Sequence, residues 1–237
     1  MTEENEIILI NQIFNSVLSG GATFPTFIQE SETAWNNATS PKSTTFDVQT
    51  GDVLVAFSVL ENGSSGGEIT ISSSPVLTWT QQEEYGQGAA STTYVSVWTA
   101  VAGSNTSVEV SFSCNNGFNF GGNVLTFRGS SGIGAAEQNN NAEGSGAPTV
   151  DITTTQANSI IVMANGDWNA LDGSSGTYDE SEAGAFTELT QDNSGAGSTY
   201  VMYGGYYSVG AVGTYTIGIT SPNTQRYGIV AVEVKGT

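Results

Sequence analysis

Phe120-Gly121-Gly122-Asn123-Val124-Leu125-Thr126-Phe127-Arg128-Gly129 aligns without a gap on Tyr227-Gly228-Ile229-Val230-Ala231-Val232-Glu233-Val234-Lys235-Gly236, 107 residues downstream. At the same offset Val108, Val110 and Phe112 meet Tyr215, Ile217 and Ile219, and Val53-Leu54-Val55 meets Ile160-Ile161-Val162. Phe27 falls near Ile133. Small shifts bring Thr92-Thr93-Tyr94-Val95 onto Ser198-Thr199-Tyr200-Val201, and Thr80-Gln81 onto Thr190-Gln191. Self-similarity at a fixed period marks a duplicated structural unit. Apolar positions and turn glycines repeat, while charges and reactive groups do not. The expected plan is an N-terminal arm over 1–22 and two repeats over 23–129 and 130–237, each with its own core.

Within each repeat the apolar period is two. Ser107-Val108-Glu109-Val110-Ser111-Phe112 alternates as a half-buried strand does. Runs at 52–60, 92–101, 122–127, 159–164, 199–209, 214–220 and 228–234 are bounded by Gly, Asn, Ser or Pro. About seven short strands per ~100 residues, with turn residues between them, predict an all-β fold. The expectation is two tandem antiparallel β-sandwiches, jelly-roll or immunoglobulin-like. Residues 48–52 and 155–159 read as matching turns. Residues 129–134 read as a short linker, and 139–146 as a loop.

Residues 3–18 read differently. Glu3, Glu4 and Glu6 suit a helix N-terminus, Thr2 can cap it, and Gly20-Gly21 supplies a stop. Ile7, Ile10, Phe14 and Val17 form one apolar edge, widened by Ile8, Leu9, Ile13 and Leu18. A strand competes over Ile7–Ile10. So short an apolar helix is marginal alone, so it must pack either back on one sandwich or, the preferred expectation, onto another subunit as a helical docking arm.

Four basic residues against 23 acidic ones give a formal charge of −19, spread as −3, −7 and −9 over 1–22, 23–129 and 130–237. Such a surface repels phosphate backbones and anionic bilayers, so neither nucleic acid nor membrane is an expected partner. Residues 1–21 show no basic n-region and no small-residue cleavage site, so they are not expected to act as a secretory signal, and no apolar run approaches membrane-spanning length.

The chain has no histidine and one cysteine, Cys114. That removes Ser-His-Asp and Cys-His catalysis and leaves borderline metals poorly served. No cofactor and no enzymatic activity are expected. Carboxylates remain. Glu83-Glu84 is read as a solvated loop pair, with no acid–base role. Asp167, Asn169 and Asp172, and then Asp179, Glu180 and Glu182, lie in one stretch, where oxygen ligands could meet calcium. Their spacing fits no EF-hand loop, so a plain acidic loop is preferred. Among the aromatics, Trp79 and Trp98 read as core. Trp168 and Tyr178 fall in a polar stretch and are the candidates for stacking on a sugar ring.

The motif succession within a repeat is Gln-Thr-Gly-Asp-Val-Leu-Val-Ala (49–56), Leu-Thr-Trp-Thr-Gln (77–81) and Tyr-Val-Ser-Val-Trp-Thr-Ala-Val-Ala-Gly (94–103). Val-Glu-Val-Ser-Phe (108–112) and Asn-Val-Leu-Thr-Phe-Arg-Gly (123–129) complete it. It resembles β-sandwich units of bacteriophage structural proteins and bacterial surface proteins, over 23–237. The resemblance implies a role in virion or surface assembly and carries no functional residue with it. The resulting expectation is a capsid decoration or fibre protein on a virion surface. It would be a homo-oligomer assembling with other virion proteins through its arm. The alternative is a carbohydrate-binding adhesin module on a virion or a cell surface.

Overall fold

The computed structural model describes residues 22–36, 40–62, 67–86, 92–115, 119–141, 146–168, 176–193, 200–223 and 226–237. The arm, with Ile7, Ile10, Phe14 and Val17, lies outside the described residues. The rest is all-β and antiparallel. The strands are β1 (Thr26–Asn36), β2 (Lys42–Val48), β3 (Val53–Asn62), β4 (Ile69–Ser74), β5 (Thr80–Tyr85), β6 (Thr92–Val101), β7 (Thr106–Cys114) and β8 (Phe120–Arg128). They continue as β9 (Gly132–Asn141), β10 (Thr149–Thr153), β11 (Ser159–Trp168), β12 (Thr177–Tyr178), β13 (Phe186–Asn193), β14 (Tyr200–Val209), β15 (Thr214–Ser221) and β16 (Arg226–Lys235).

Sheet order repeats with the sequence. A five-stranded sheet β1-β8-β3-β6-β5 is matched by β9-β16-β11-β14-β13, and a three-stranded sheet β2-β7-β4 by β10-β15-β12. β1 with β8, β2 with β7 and β3 with β6 are nested pairs, as in a hairpin ribbon rolled on itself, which is jelly-roll wiring. Each half thus has eight strands where the sequence suggested about seven. Those missed or shortened are mostly polar edge strands: β1, β5, β9 and the two-residue β12. β9 takes in residues expected to be linker and loop, and β5 takes in Glu83 and Glu84.

The pairings also correct two alignments. Val95 faces Val59 as Met202 faces Gly166, and Thr80 faces Thr99 as Thr187 faces Tyr206. The 107-residue offset therefore holds through β5, β6, β13 and β14, and the shifted matches are out of register. Trp79 corresponds to Phe186, not to Leu189. Phe27 and Ile133 are true counterparts, facing Phe127 and Val234.

Three main apolar clusters stack in series. Phe46, Leu54, Trp98, Val108 and Phe112 fill the space between the five- and three-stranded sheets of the first half. Ile152, Ile161, Met163, Tyr207, Ile217 and Ile229 do so in the second. The cluster between them is shared. Val55, Phe57, Val95 and Leu125 of the first half pack on Val162, Ala164, Met202 and Val232 of the second. The two large sheets thus lie face to face, and each half adds a share of this common core to the one between its own sheets. It follows that β3, β8, β11 and β16 are buried on both faces, so their sequences run apolar without alternating.

The shared face is complementary in size. A Cβ on Gly204 would stand 2.2 Å from the Phe57 ring, one on Gly166 2.5 Å from Val59, and one on Gly228 2.4 Å from Tyr85. The counterparts of Phe57 and Val59 are Ala164 and Gly166, and the counterpart of Gly204 is Val97. The first half supplies knobs and the second supplies glycine holes. Asn123 adds a polar latch, donating from Nδ2 to Thr190 Oγ1 of the other half at 2.6 Å.

Candidate functional site

The strand ends sort the molecule into two unlike ends. The connections that follow β1, β3, β5 and β7, and their counterparts after β9, β11, β13 and β15, all leave from strand ends at one end. Gly166 meeting Thr93 and Val59 puts that end of both halves on the same side of the molecule. The opposite end carries the tight turns, the link between the halves and both ends of the described chain. There Thr23 N donates to Thr237 O at 2.9 Å and Thr237 N to Thr23 O at 3.1 Å. Asn158 Nδ2 donates to the carbonyl of Ala22, so the arm joins the body at this end.

The terminus-bearing end is held by carboxylates in both halves, from different positions. Asp52, fully buried, accepts from Gln49 N at 2.7 Å and from Arg128 Nε and Nη2 at 2.8 and 2.9 Å. Burial alone would raise its pKa, but the Arg128 and Gln49 hydrogen bonds outweigh burial and leave it lowered. Its counterpart is Ser159, and Glu233 takes over. The Glu233 carboxylate accepts from the backbone N of Ala135, Thr155 and Gln156 and from the hydroxyls of Thr155 and Ser159, at 2.7–3.1 Å. Against the cost of burial, these donors hold its pKa below the usual carboxylate value. Gly134 leaves the room, since a Cβ there would meet Glu233 Oε2 at 1.9 Å. Both carboxylates pin turns and neither faces a substrate space. A groove of about 530 Å³ on the first half is lined by Ile28, Gln29, Gln49, Asn105 and Arg128, but the Arg128 guanidinium is already engaged by Asp52.

The sequence-predicted candidates are dispersed. Asp167 is not in a loop but on β11, fully buried between the sheets of the second half. Burial pushes its pKa well up, only partly opposed by a backbone hydrogen bond from Val201. Its neighbour on the same face, Asn165, is also fully buried, with no partner for Oδ1 or Nδ2. Asp172 lies outside the described residues. Asp179 Oδ1 caps Ser181, Glu180 Oε1 accepts from Phe186 N at 3.0 Å, and Glu182 Oε2 accepts from Thr216 N at 2.7 Å. Asp179 and Glu180 serve local turns and Glu182 ties its turn to β15, and among the described residues no three metal-ligating side chains gather.

Tyr178 packs its ring on Phe186 with centroids 4.1 Å apart and donates its hydroxyl to Glu188. Burial and then that carboxylate raise its pKa. The backbone of Trp168 closes β11 opposite Tyr200 and Arg226, and its side chain is outside the described residues. Trp98 is core, and Trp79 is half-buried with its indole N–H on Ser73 Oγ at 3.2 Å. Glu83 sits on β5, its pKa raised by burial and by Glu137 of the facing half. Glu84 accepts from Tyr94 Oη at 3.1 Å.

Sequence reasoning missed the exposed apolar groups of the terminus-bearing end. Phe24, Ile28, Val76, Val101 and Val212 are the large hydrophobics most open to solvent among the described residues. All five lie at or beside that end, in the approach to β1 and its first residues, the β4–β5 and β14–β15 connections and the last residue of β6. Val76 and Val101, 89% and 57% exposed, border a cleft of about 430 Å³ that reaches Ile133 of the other half. Isolated apolar residues in turns carry no periodic signal, so only the fold could bring them together.

No family model matches this chain, and no curated protein does. Among solved structures, oxalate decarboxylase from Bacillus subtilis at pH 4.6 aligns over 90% of this chain and 74% of its own, at 8% identity and a TM-score of 0.16. That score carries no argument about fold or activity.

Proposed function

We propose that this chain is a non-enzymatic structural protein of a particle surface, a capsid decoration or fibre protein on a phage-like virion. In this reading 23–129 and 130–237 are tandem sandwiches fused into one rigid body, and 1–22 is a helical arm through which copies assemble with one another and with other virion proteins. The observation that supports it most is the polarity of the molecule. The arm joins at the end with the exposed hydrophobics, and most of the longer connections emerge at the other. Loops set on a rigid sandwich are the usual place for contacts with the surroundings. The carboxylates pinned to turns and the absence of histidine from the sequence support a role without catalysis and without a cofactor. The net charge of −19 argues against nucleic-acid and membrane partners, and no helix among the described residues is long and apolar enough to cross a bilayer.

The competing reading, a carbohydrate-binding adhesin on a virion or cell surface, differs at the loop-bearing end. A glycan array separates the two, and a specific sugar signal would favour the adhesin. For the assembly reading the test is Ile10→Asp/Phe14→Asp in the full chain. The expected result is loss of the assembled mass with an unchanged circular dichroism spectrum and melting curve. An unaltered mass would sink the arm's role, and an unfolded first half would make the arm part of that core.

A further inference from the structure

Asp167 and Asn165 are both fully buried and stand two places apart on β11, so alternation turns both side chains toward the three-stranded sheet of the second half. Asp167 lies opposite Val201 and Tyr227, and Asn165 opposite Tyr203 and Ile229. At this level the main apolar cluster of that half gives way to a small separate one of Val201, Tyr203 and Ile219. Asn165 has no hydrogen-bond partner for Oδ1 or for Nδ2. A buried amide with neither end satisfied is costly. The fold demands neither group. Their counterparts in the first half are Leu60 and Ser58, and Ser58 Oγ donates to the carbonyl of Gly121. Nor does any basic side chain supply a counter-charge. The chain has four. Arg128 is bound to Asp52, and Lys42 donates to the carbonyl of Phe120 in the first half. Lys235 closes β16 at the terminus-bearing end, opposite Gly132. Arg226 stands opposite Trp168, one place beyond Asp167, so alternation sends its side chain to the other face. An ionised carboxylate at this depth needs a cation from outside the chain. Without one the acid stays buried only in its neutral form, and burial does push its pKa well up.

We infer that Asp167 and Asn165 hold a hard cation of the calcium class inside the second half, with the Asp167 carboxylate and Asn165 Oδ1 as protein ligands and water completing the shell. The donor set selects the ion. Both ligands are oxygens, and the chain offers softer metals no histidine and a single cysteine in the other half. Residues two places apart on one strand face stand about 6.6 Å from each other. Calcium–oxygen bonds of about 2.3–2.6 Å let one ion bridge their side chains. The ion neutralises the carboxylate and occupies the orphaned amide oxygen, and its water serves Nδ2. Asp167 is one residue from the loop-bearing end of β11, so the way in is short. The net charge of −19 draws cations toward it. Such an ion is structural: it fixes the strand end from which a connection leaves and takes no part in catalysis.

The test is calorimetric titration with calcium chloride, and melting in calcium and in chelator, of three full-length chains: wild type, Asp167→Asn and Asp167→Leu/Asn165→Ser. The last installs the pair that the first half carries. Wild type is expected to bind one calcium ion per chain and to melt several degrees higher in calcium than in chelator. Asp167→Asn should bind roughly tenfold or more weakly, since ligand charge sets calcium affinity. Asp167→Leu/Asn165→Ser should show no calcium response and melt at least as high as wild type does in chelator. If that double variant does not fold, Asp167→Asn alone decides. A wild type with neither binding heat nor calcium-dependent melting overturns the inference. An unchanged response in Asp167→Asn also overturns it, because the ions would then sit on the acidic surface.

Discussion

Glu233→Ala is expected to lower the unfolding free energy by about 2–4 kcal/mol, because it strands several part-buried donors and the buried Ser159 hydroxyl at once. The carboxylate is the acceptor for the backbone N of Ala135, Thr155 and Gln156 and for the hydroxyls of Thr155 and Ser159. Alanine leaves those amides in a site that Gly134 has shaped to fit a carboxylate and nothing larger. Glu233→Gln keeps the shape but replaces one acceptor oxygen by a donor, so its loss should be smaller. The pH dependence has a definite sign. The folded pKa is lowered, so the stabilisation is complete above the unfolded value of about 4.3 and disappears as pH falls through the folded value. Urea midpoints should therefore separate wild type from Glu233→Ala widely at about pH 7 and converge as pH falls through the lowered folded value. A constant gap across that range would mean the carboxylate is not the pin described here.

The second large effect concerns the shared core. Phe57→Ala should cost about 3–5 kcal/mol, as a fully buried aromatic ring is lost. Gly204→Val in the wild-type background should also destabilise, by roughly 1–3 kcal/mol, since its Cβ meets the Phe57 ring. Each substitution installs what the other half carries at the matching position, Ala164 for Phe57 and Val97 for Gly204. Together they fill the space they vacate, so the double variant should be more stable than the sum of the singles by about 1–3 kcal/mol. Strict additivity would show that the two residues do not share a packing site. The same series asks whether the halves unfold together. One cooperative transition in every variant is the expected result, since neither half closes its large sheet alone.

The duplication was legible in the sequence because turn glycines and apolar positions recur at a fixed offset. Their recurrence follows from packing rules shared by both copies. The strands buried on one face were legible from alternation, as in β7. Those buried on two faces were visible only as unbroken runs, such as Val53–Leu60, and the meaning of such a run lies in a second sheet the local sequence does not mention. β1 and β9 were obscure for the opposite reason. An edge strand such as Gly132–Asn141 has one ladder partner and a face in water, so Glu137, Gln138 and Asn139 can stand where a core strand needs apolar residues. Of the candidate site residues, Asp167 reads as one of a run of acids. Only the pairing of β11 with β14 and β16 reveals that it is buried while Asp179 and Glu180 are turn caps. The apolar groups of the terminus-bearing end sit far apart in sequence, in connections chosen for bending rather than for pattern.

The central claim is that copies attach by the terminus-bearing end and present the other. One spin label per chain measures this directly, using Thr70→Cys in a Cys114→Ser background. Thr70 is exposed, and its ladder partner Ser113 lies seven residues along β7 from Thr106 at the terminus-bearing end. At about 3.3 Å per residue each label stands roughly 23 Å from that end, so double electron–electron resonance should give label pairs more than about 45 Å apart. A dominant distance under about 30 Å would place the loop-bearing ends together and contradict the account.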